Sequence, residues 1–276
     1  MQAVPVKIPL EDNYNDILGK AKRGLKLSDA ELAQRAGVTE ADVQAVLGGT
    51  VDEAVIRQLA PPLGLGVEAV VASAKKAWYP RTPDDINGLM CFNTPHEDIT
   101  VNSYLMYDVG THAAVAFDTG ADCSGLLNFA SGHKLNISLI LLTHVHIDHV
   151  VALDRLKAAT GAKPYVSDRE PIAGAEPFAD GRAFSIGALK IETRRTSGHA
   201  RGGVTYVVTG LTRRLAVVGD AVFAGSMGGG IVDYQEALRT NRENILTLAD
   251  DTVLCPGHGP LTTVGEEKKN NPFFTL

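Results

Sequence analysis

Leu141-Leu142-Thr143-His144-Val145-His146-Ile147-Asp148-His149-Val150 sets three imidazoles and a carboxylate within six positions, directly after an apolar run. Ser138 to Leu142 is hydrophobic and β-rich and ends at Thr143, so a buried strand should stop there and release the chain into a loop. His144 and His146 are two apart, which in an extended segment turns both imidazoles to one side and Val145 to the other. Asp148 and His149 fall in the turn leading into a helix expected over Val151 to Thr160, where they can face a second point in space. Neutral imidazole nitrogens and carboxylate oxygens are ordinary ligands of zinc, iron or manganese. Any one of these histidines reads alone as a loop or core residue; the four side chains together point to a metal site.

Further ligands are sought downstream. His199 follows Thr196-Ser197-Gly198, Asp220 follows the apolar run Leu215 to Gly219, and His258 lies in Pro256-Gly257-His258-Gly259-Pro260. Each stands just beyond an expected strand, in a Gly-rich stretch that lets backbone approach a ligand site. Taken singly, Asp220 is also a helix cap or turn former and His258 a plain loop residue.

With these residues in view, the chain from roughly Asn87 to Leu276 resembles the metallo-β-lactamase-fold hydrolases. Their metal signature, Thr-His-x-His-x-Asp-His, is present from Thr143 to His149, and their later ligands match His199, Asp220 and His258. Within that superfamily the chain is most similar to the glyoxalase II-like (hydroxyacylglutathione hydrolase-like) branch. The stretch Gly219-Asp220-Ala221-Val222-Phe223-Ala224-Gly225-Ser226 and the ending Asp251 to Pro260, followed by Thr262 to Glu267 and Asn271-Pro272-Phe273, carry that likeness. The resemblance implies an α/β fold, an αββα sandwich of the metallo-β-lactamase type. It also implies two divalent metal ions, zinc first, with iron or manganese as alternatives. By analogy His144, His146 and His199 hold one ion, Asp148, His149 and His258 the other, and Asp220 bridges them. A hydroxide between the ions would attack the carbonyl of a thioester or related ester, with Asp148 as the catalytic residue that orients it. A thiolate leaving group is a weak base and needs no dedicated acid.

Three departures bear on substrate. Val151 and Ala152 stand where many relatives carry two glycines. The segment Gly225 to Asp233 has no positive charge, whereas glutathione-hydrolysing relatives offer an arginine or lysine there. Only 18 residues follow His258, so the C-terminal domain that supplies glutathione contacts in the larger enzymes is not expected. Two other readings stand beside the hydrolase: an iron-dependent persulfide dioxygenase with one three-ligand site, and a ligand-sensing regulator that binds DNA through its front domain.

The front of the chain changes character. Leu27-Ser28-Asp29-Ala30-Glu31 and Thr39-Glu40-Ala41-Asp42 are capping boxes, with Gly37 and Gly48-Gly49 as stops. Val51 to Leu59 and Val67 to Lys75 read as two more helices separated by Pro61-Pro62. Short helix, tight turn, short helix resembles the phage-repressor-like helix-turn-helix family. Charge speaks against DNA: the expected recognition helix, Thr39 to Leu47, carries Glu40, Asp42 and Gln44 and no base, and residues 11–76 hold ten acids against eight bases. Lys20, Lys22, Arg23 and Lys26 read as a solvated helix face. A five-helix module for packing, dimerisation or lining the active-site entrance is expected, and Trp78 and Tyr79, ahead of Pro80 and Pro83, are placed between the two units.

The whole chain fits two units, a helical domain over 1–80 and a catalytic domain over 81–276. Strands are expected at Ser103 to Tyr107, Ala113 to Asp118, Leu139 to Leu142, Lys163 to Val166, Ala188 to Thr193, Val204 to Thr209, Leu215 to Val218 and Thr252 to Cys255. Helices are expected at Gly120 to Ser131 and Tyr234 to Leu248, the latter capped by Asp233. Met1 to Glu11 has no sustained apolar core, no apolar run approaches about 18 residues, and the net charge is −6. Three cysteines, Cys91, Cys123 and Cys255, show no framework spacing and suit a reducing cytoplasm. The partners expected are a small-molecule thioester or ester, with no membrane and no nucleic acid, and with a homodimer left open.

Overall fold

The structure is a computed structural model, in which residues 7–81 and 86–275 are described. Pro83 of the expected junction and the first six residues of the opening stretch lie outside them. The front forms α1 (Tyr14–Gly24), α2 (Asp29–Ala36), α3 (Glu40–Leu47), α4 (Glu53–Leu59) and α5 (Val67–Ala74), with a 3-10 turn at Pro61–Leu63. Both capping boxes form. The Ser28 hydroxyl accepts the Glu31 amide at 3.2 Å while Glu31 accepts the Ser28 amide at 2.8 Å, and Thr39 and Asp42 repeat the exchange. Gly37 closes α2 in the left-handed region, at φ 69°, a conformation that a side chain would strain.

Two six-stranded sheets follow. The first holds β1 (Leu89–His96), β2 (Ile99–Tyr107), β3 (Ala113–Phe117), β4 (Asn136–Leu141), β5 (Lys163–Ser167) and β6 (Glu176–Phe178), in that order. The second holds β7 (Ala183–Ile186), β8 (Leu189–Arg195), β9 (Val204–Thr209), β10 (Leu215–Gly219), β11 (Val253–Pro256) and β12 (Thr262–Thr263), also in chain order. The pairs β3–β4 and β10–β11 are parallel. Such pairs need a crossover, which α6 (Ser124–Gly132) supplies in the first sheet and α9 (Tyr234–Asn244) in the second. Between β4 and β5 lie α7 (Ile147–Val150) and α8 (Leu153–Thr160), and α10 (Val264–Asn270) follows β12.

Alternation along the strands builds three layers of core. Tyr104, Met106, Val115 and Phe117 meet Tyr206, Val208, Leu215 and Val217 between the sheets. Their neighbours Leu105, Ala114, Ala116 and Ile140 turn outward under α6 and α8, and Ala216, Val218 and Leu254 turn outward under α9 and α10. A strand buried on both faces reads as a continuous apolar run, which is why these strands are visible in the sequence. This is the two-sheet αββα fold, preceded by an all-helical segment.

Several expectations are corrected. The strands β1, β6, β7 and β12 and the helix α10 have no counterpart in the sequence reading, because they are short, edge-placed or mixed in polarity. The helix expected from Gly120 begins at Ser124, the one expected to reach Leu248 ends at Asn244, and the stretch expected as one helix from Val151 begins at Leu153 behind the separate turn α7. Asp148 and His149 therefore sit inside a one-turn helix rather than in an open turn.

The helical segment is not a free appendage. Its core residues Tyr14, Ile17, Leu32, Val43, Leu59 and Val70 form one buried cluster with Met227, Tyr234, Ala237 and Phe273 of the two-sheet unit. The Gly66 amide donates to the Pro272 carbonyl at 2.8 Å, and Trp78 Nε1 donates to Glu266 at 3.1 Å. Ahead of α1, the chain runs as a strap: the Tyr79 hydroxyl holds the Ile8 carbonyl at 2.7 Å, and Asp12 receives Lys20 and the Ser226 hydroxyl.

Candidate metal centre

Five strands release polar residues at one edge. Asp118 follows β3, the His144 to His149 segment follows β4, His199 follows β8, Asp220 follows β10 and His258 follows β11. All seven residues singled out as metal ligands are brought together there. Ligand atoms of His144, His146, His199 and Asp220 lie within 4.8 Å of one another, as do those of Asp148, His149 and His258. His146 Nδ1 stands 3.0 Å from both His144 Nε2 and His199 Nε2. Asp220 touches both groups: its carboxylate lies 3.4 Å from His199 Nε2, 3.3 Å from His149 Nε2 and 3.4 Å from His258 Nε2. His258 Nε2 is 3.2 Å from Asp148.

The outer nitrogens are occupied by the protein. His149 Nδ1 donates to Asp118 Oδ2 at 2.9 Å, His199 Nδ1 to the Gly229 carbonyl at 2.9 Å and His258 Nδ1 to the Thr100 carbonyl at 2.7 Å. Thr143 gives its amide and hydroxyl protons to the two Asp118 oxygens, each at 2.7 Å, and its hydroxyl oxygen accepts from His144 Nδ1 at 3.0 Å. With those protons outside, the Nε2 lone pairs of His144, His149, His199 and His258 point to the centre. Asp118 and the backbone carbonyls were not legible as site residues, and Thr143 was legible only as the first residue of the signature. The one available signal was an aspartate closing the apolar strand Ala113 to Phe117, the same strand-end placement that marks Asp220.

Close approach at the centre depends on glycine. A Cβ at Gly257 would lie 2.1 Å from Asp220 Oδ1 and 2.7 Å from His149 Cε1. At Gly219, which has φ 51°, it would lie 2.5 Å from the Thr143 hydroxyl. Asn102 of β2 braces the last loop, its amide group donating to the Pro256 and Gly259 carbonyls at 2.9 and 2.8 Å.

Electrostatics and hydrogen bonding test whether metal ions fit. Burial opposes charge on Asp220, but His258 and His149 outweigh it and hold the carboxyl well below the usual range. Burial likewise opposes the cationic forms of His149 and His258; the surrounding carboxylates, Asp220 first, raise them to about 10 and about 11. His144 goes the other way, depressed by burial and by His149. The cluster thus draws positive charge inward. Even so, His149 Nε2 and Asp220 Oδ1 are buried without a hydrogen-bond partner, although 3.3 Å apart. With its proton on Nδ1, His149 offers Nε2 as an acceptor like Asp220 Oδ1; orphaned buried acceptors are costly, and a cation between them would satisfy both.

The metallo-beta-lactamase superfamily model matches residues 97–258. The chain belongs to that superfamily. Hydroxyacylglutathione hydrolase GloC of Haemophilus influenzae is 28% identical over 198 residues, covering 63% of this chain and 92% of that protein. Among solved structures, the BLEG-1 B3 metallo-beta-lactamase is 29% identical with TM-score 0.58, covering 68% of this chain and 100% of that one. TTHA1623, solved in a di-iron-bound form, is 25% identical with TM-score 0.55, covering 66% of this chain and 99% of that one. The superfamily member described here is a distant homologue of glyoxalase II and a metal-dependent hydrolase with a binuclear His/Asp site. No helix-turn-helix family model matches the helical front. Among the described residues, no helix is long and apolar enough to cross a membrane.

Proposed function

We propose that the protein hydrolyses a thioester or related ester through two divalent ions, zinc before iron or manganese. The observation that carries this reading is the convergence of seven donor residues in two adjoining groups that share Asp220. His144, His146 and His199 would hold one ion and Asp148, His149 and His258 the other, with Asp220 between. When bound, the ions supply a nucleophile from water near neutral pH and stabilise charge developing on the carbonyl oxygen.

The chain's own residues do the rest. Asp118, Thr143 and the Gly229 and Thr100 carbonyls hold four imidazoles in one tautomer and one orientation, so no reorganisation is required when substrate enters. Asp148, buried beside His258, offers the carboxylate oxygen that orients the attacking water. The thiolate leaves as a weak base without a protein acid. The second group, Asp148–His149–His258, favours this reading over a one-iron persulfide dioxygenase, which would use three ligands only.

The helical front acts, in this reading, as a packed wall of the catalytic unit rather than as a DNA reader. The exposed positions of α3, Glu40, Ala41, Gln44 and Ala45, present no base to phosphate. Metal analysis combined with turnover on a panel of thioesters, lactones and phosphoesters tests the proposal, with oxygen uptake followed alongside. Two ions per chain with thioester cleavage supports it; oxygen consumption on a persulfide, or inactivity of the two-metal protein across the panel, overturns it.

A further inference from the structure

We infer that Asn102 is a positioning residue that seats His258 and thereby decides whether the second ion is held. The inference rests on the two-ion reading and names the residue on which its second half depends. Each donor group joins part of the His144–His149 segment to one imidazole that follows a strand of the second sheet, His199 in the first group and His258 in the second. Those two imidazoles are fixed from different sides.

His199 is fixed by loops of its own sheet. Its Nδ1 donates to the Gly229 carbonyl at 2.9 Å, and the Gly198 carbonyl accepts the Val232 and Asp233 amides, both at 3.0 Å. His258 is fixed from the opposite sheet, by β2. The Thr100 carbonyl accepts His258 Nδ1 at 2.7 Å. Asn102 Nδ2 donates to the Pro256 carbonyl at 2.9 Å and to the Gly259 carbonyl at 2.8 Å, so one side chain spans the loop on both sides of His258. The backbone amide of Asn102 donates to the Gly257 carbonyl at 2.7 Å, and the Tyr104 hydroxyl donates to the Pro256 carbonyl at 2.7 Å. Helix α7, which carries Asp148 and His149, packs against the same strand. All three donors of the second group therefore rest on β2.

The neighbours of Asn102 set the direction of its amide group. Asn102 Oδ1 accepts from Asn93 Nδ2 at 2.8 Å, and Asn93 Nδ2 also donates to the Thr100 hydroxyl oxygen at 3.0 Å. With its oxygen turned to Asn93, Asn102 has both Nδ2 protons free for the two loop carbonyls, which can only accept. Asn102 is 1% exposed, so water does not replace a lost bond. Asn102→Asp keeps the shape of the side chain but sets a carboxylate oxygen against two carbonyl oxygens in a buried place. The loop then has to move away, and His258 moves with it.

The first group is held without β2. His144 Nδ1 rests on Thr143, His199 Nδ1 on Gly229, and His146 Nδ1 lies between the Nε2 atoms of those two imidazoles. Loss of the Asn102 bonds therefore falls on the second ion. Partners that orient a ligand from behind tune metal affinity by about 10–100-fold without touching the ion.

The test titrates the metal-free full-length chain with Co²⁺, following heat and visible absorption, so no turnover is needed. The wild type is expected to bind in two steps, and His258→Ala, which removes a donor of the second group, identifies the step that belongs to it. Asn102→Asp is expected to weaken that step about tenfold or more and to leave the other within about threefold. Equal weakening of both steps, or of neither, overturns the positioning role, as does a lower Tm with the two steps unchanged. If Asn102→Asp does not fold, Asn93→Asp at its exposed position decides, because its carboxylate competes for the Asn102 Nδ2 protons. The same step should then weaken about threefold, and an unchanged step overturns the inference. A wild type that binds in a single step overturns the two-ion reading and the inference together, whereas two steps that Asn102→Asp shifts alike overturn the inference only.

Discussion

The helical front and the metal-bearing edge are stabilised by opposite kinds of polar contact. In the front, Ser28 with Glu31 and Thr39 with Asp42 bond residues three apart, at exposed helix ends. At the edge, Asp118 with Thr143 and His149 bonds residues 25 and 31 apart in a buried site, and His258 reaches Thr100 across 158. Local caps cost little chain entropy and are individually worth about 1 kcal/mol, whereas long-range buried networks form only once the sheets are assembled. The lesson is that the helix ends of the front are set by neighbouring residues in the chain, while the polar network of the edge exists only in the assembled fold.

Replacing His146, which touches both His144 and His199, should break the comparison hardest. His146→Ala is expected to lower kcat/KM by about a thousandfold or more and to reduce bound metal, with the far-UV circular dichroism unchanged. Asp118→Asn touches no metal position, yet it replaces an acceptor of the His149 proton with an amide. Metal affinity, read by chelator competition, should fall about 10–100-fold. Loss of the fold rather than of affinity would show that Asp118 is a structural residue first.

Glu267 tests the seam behind the site. It is fully buried, and desolvation raises its pKa to about 7 despite hydrogen bonds from Thr262, Asn271 and the Gly225 amide. A carboxyl raised from 4.5 binds a proton more tightly folded than unfolded, so stability falls as pH rises from about 4.5 to about 7, by about 3 kcal/mol from this group. Urea unfolding at pH 5 and pH 8 should show that loss in the wild type and a smaller one in Glu267→Gln. An identical slope in both proteins would remove Glu267 as its source.

Two gentler substitutions sharpen the contrast between the regions. Asp12→Ala cuts the link from the strap to Lys20 and Ser226 and should cost about 1–3 kcal/mol, with kcat/KM falling as well, because Lys20 also holds the Met227 carbonyl at 2.9 Å beside the site. Ser28→Ala removes one cap and should cost about 1 kcal/mol in thermal unfolding, leaving kcat/KM as it was. If both changes act alike on turnover, the strap has no privileged connection to the centre.

The seven ligand residues, both capping boxes and most doubly buried strands were legible in the sequence, because each rests on a short-range signal: donor spacing, a cap three residues from its acid, or an unbroken apolar run. Asp118 was not, since nothing near it in the chain shows that it receives Thr143 and His149. Gly225 to Asp233 has no positive charge of its own, yet the cavity that Val232 and Asp233 line is also lined by Arg169, Arg195 and Arg201, a proximity that no local signal shows. Edge strands such as β1 and β6 escaped because their mixed polarity follows from half-exposure.

The sequence by itself therefore determined the metal-binding capacity, the helical character of the front and the superfamily signature, all written in local spacing. Only the tertiary structure decided which carboxylate and carbonyls hold the ligating imidazoles, that the helical front packs on the loops of the centre, and that Arg169 shares one cavity with Arg195 and Asp233. Those contacts join residues tens to hundreds of positions apart, and such proximity comes from sheet pairing and layer packing, which no short window of sequence contains.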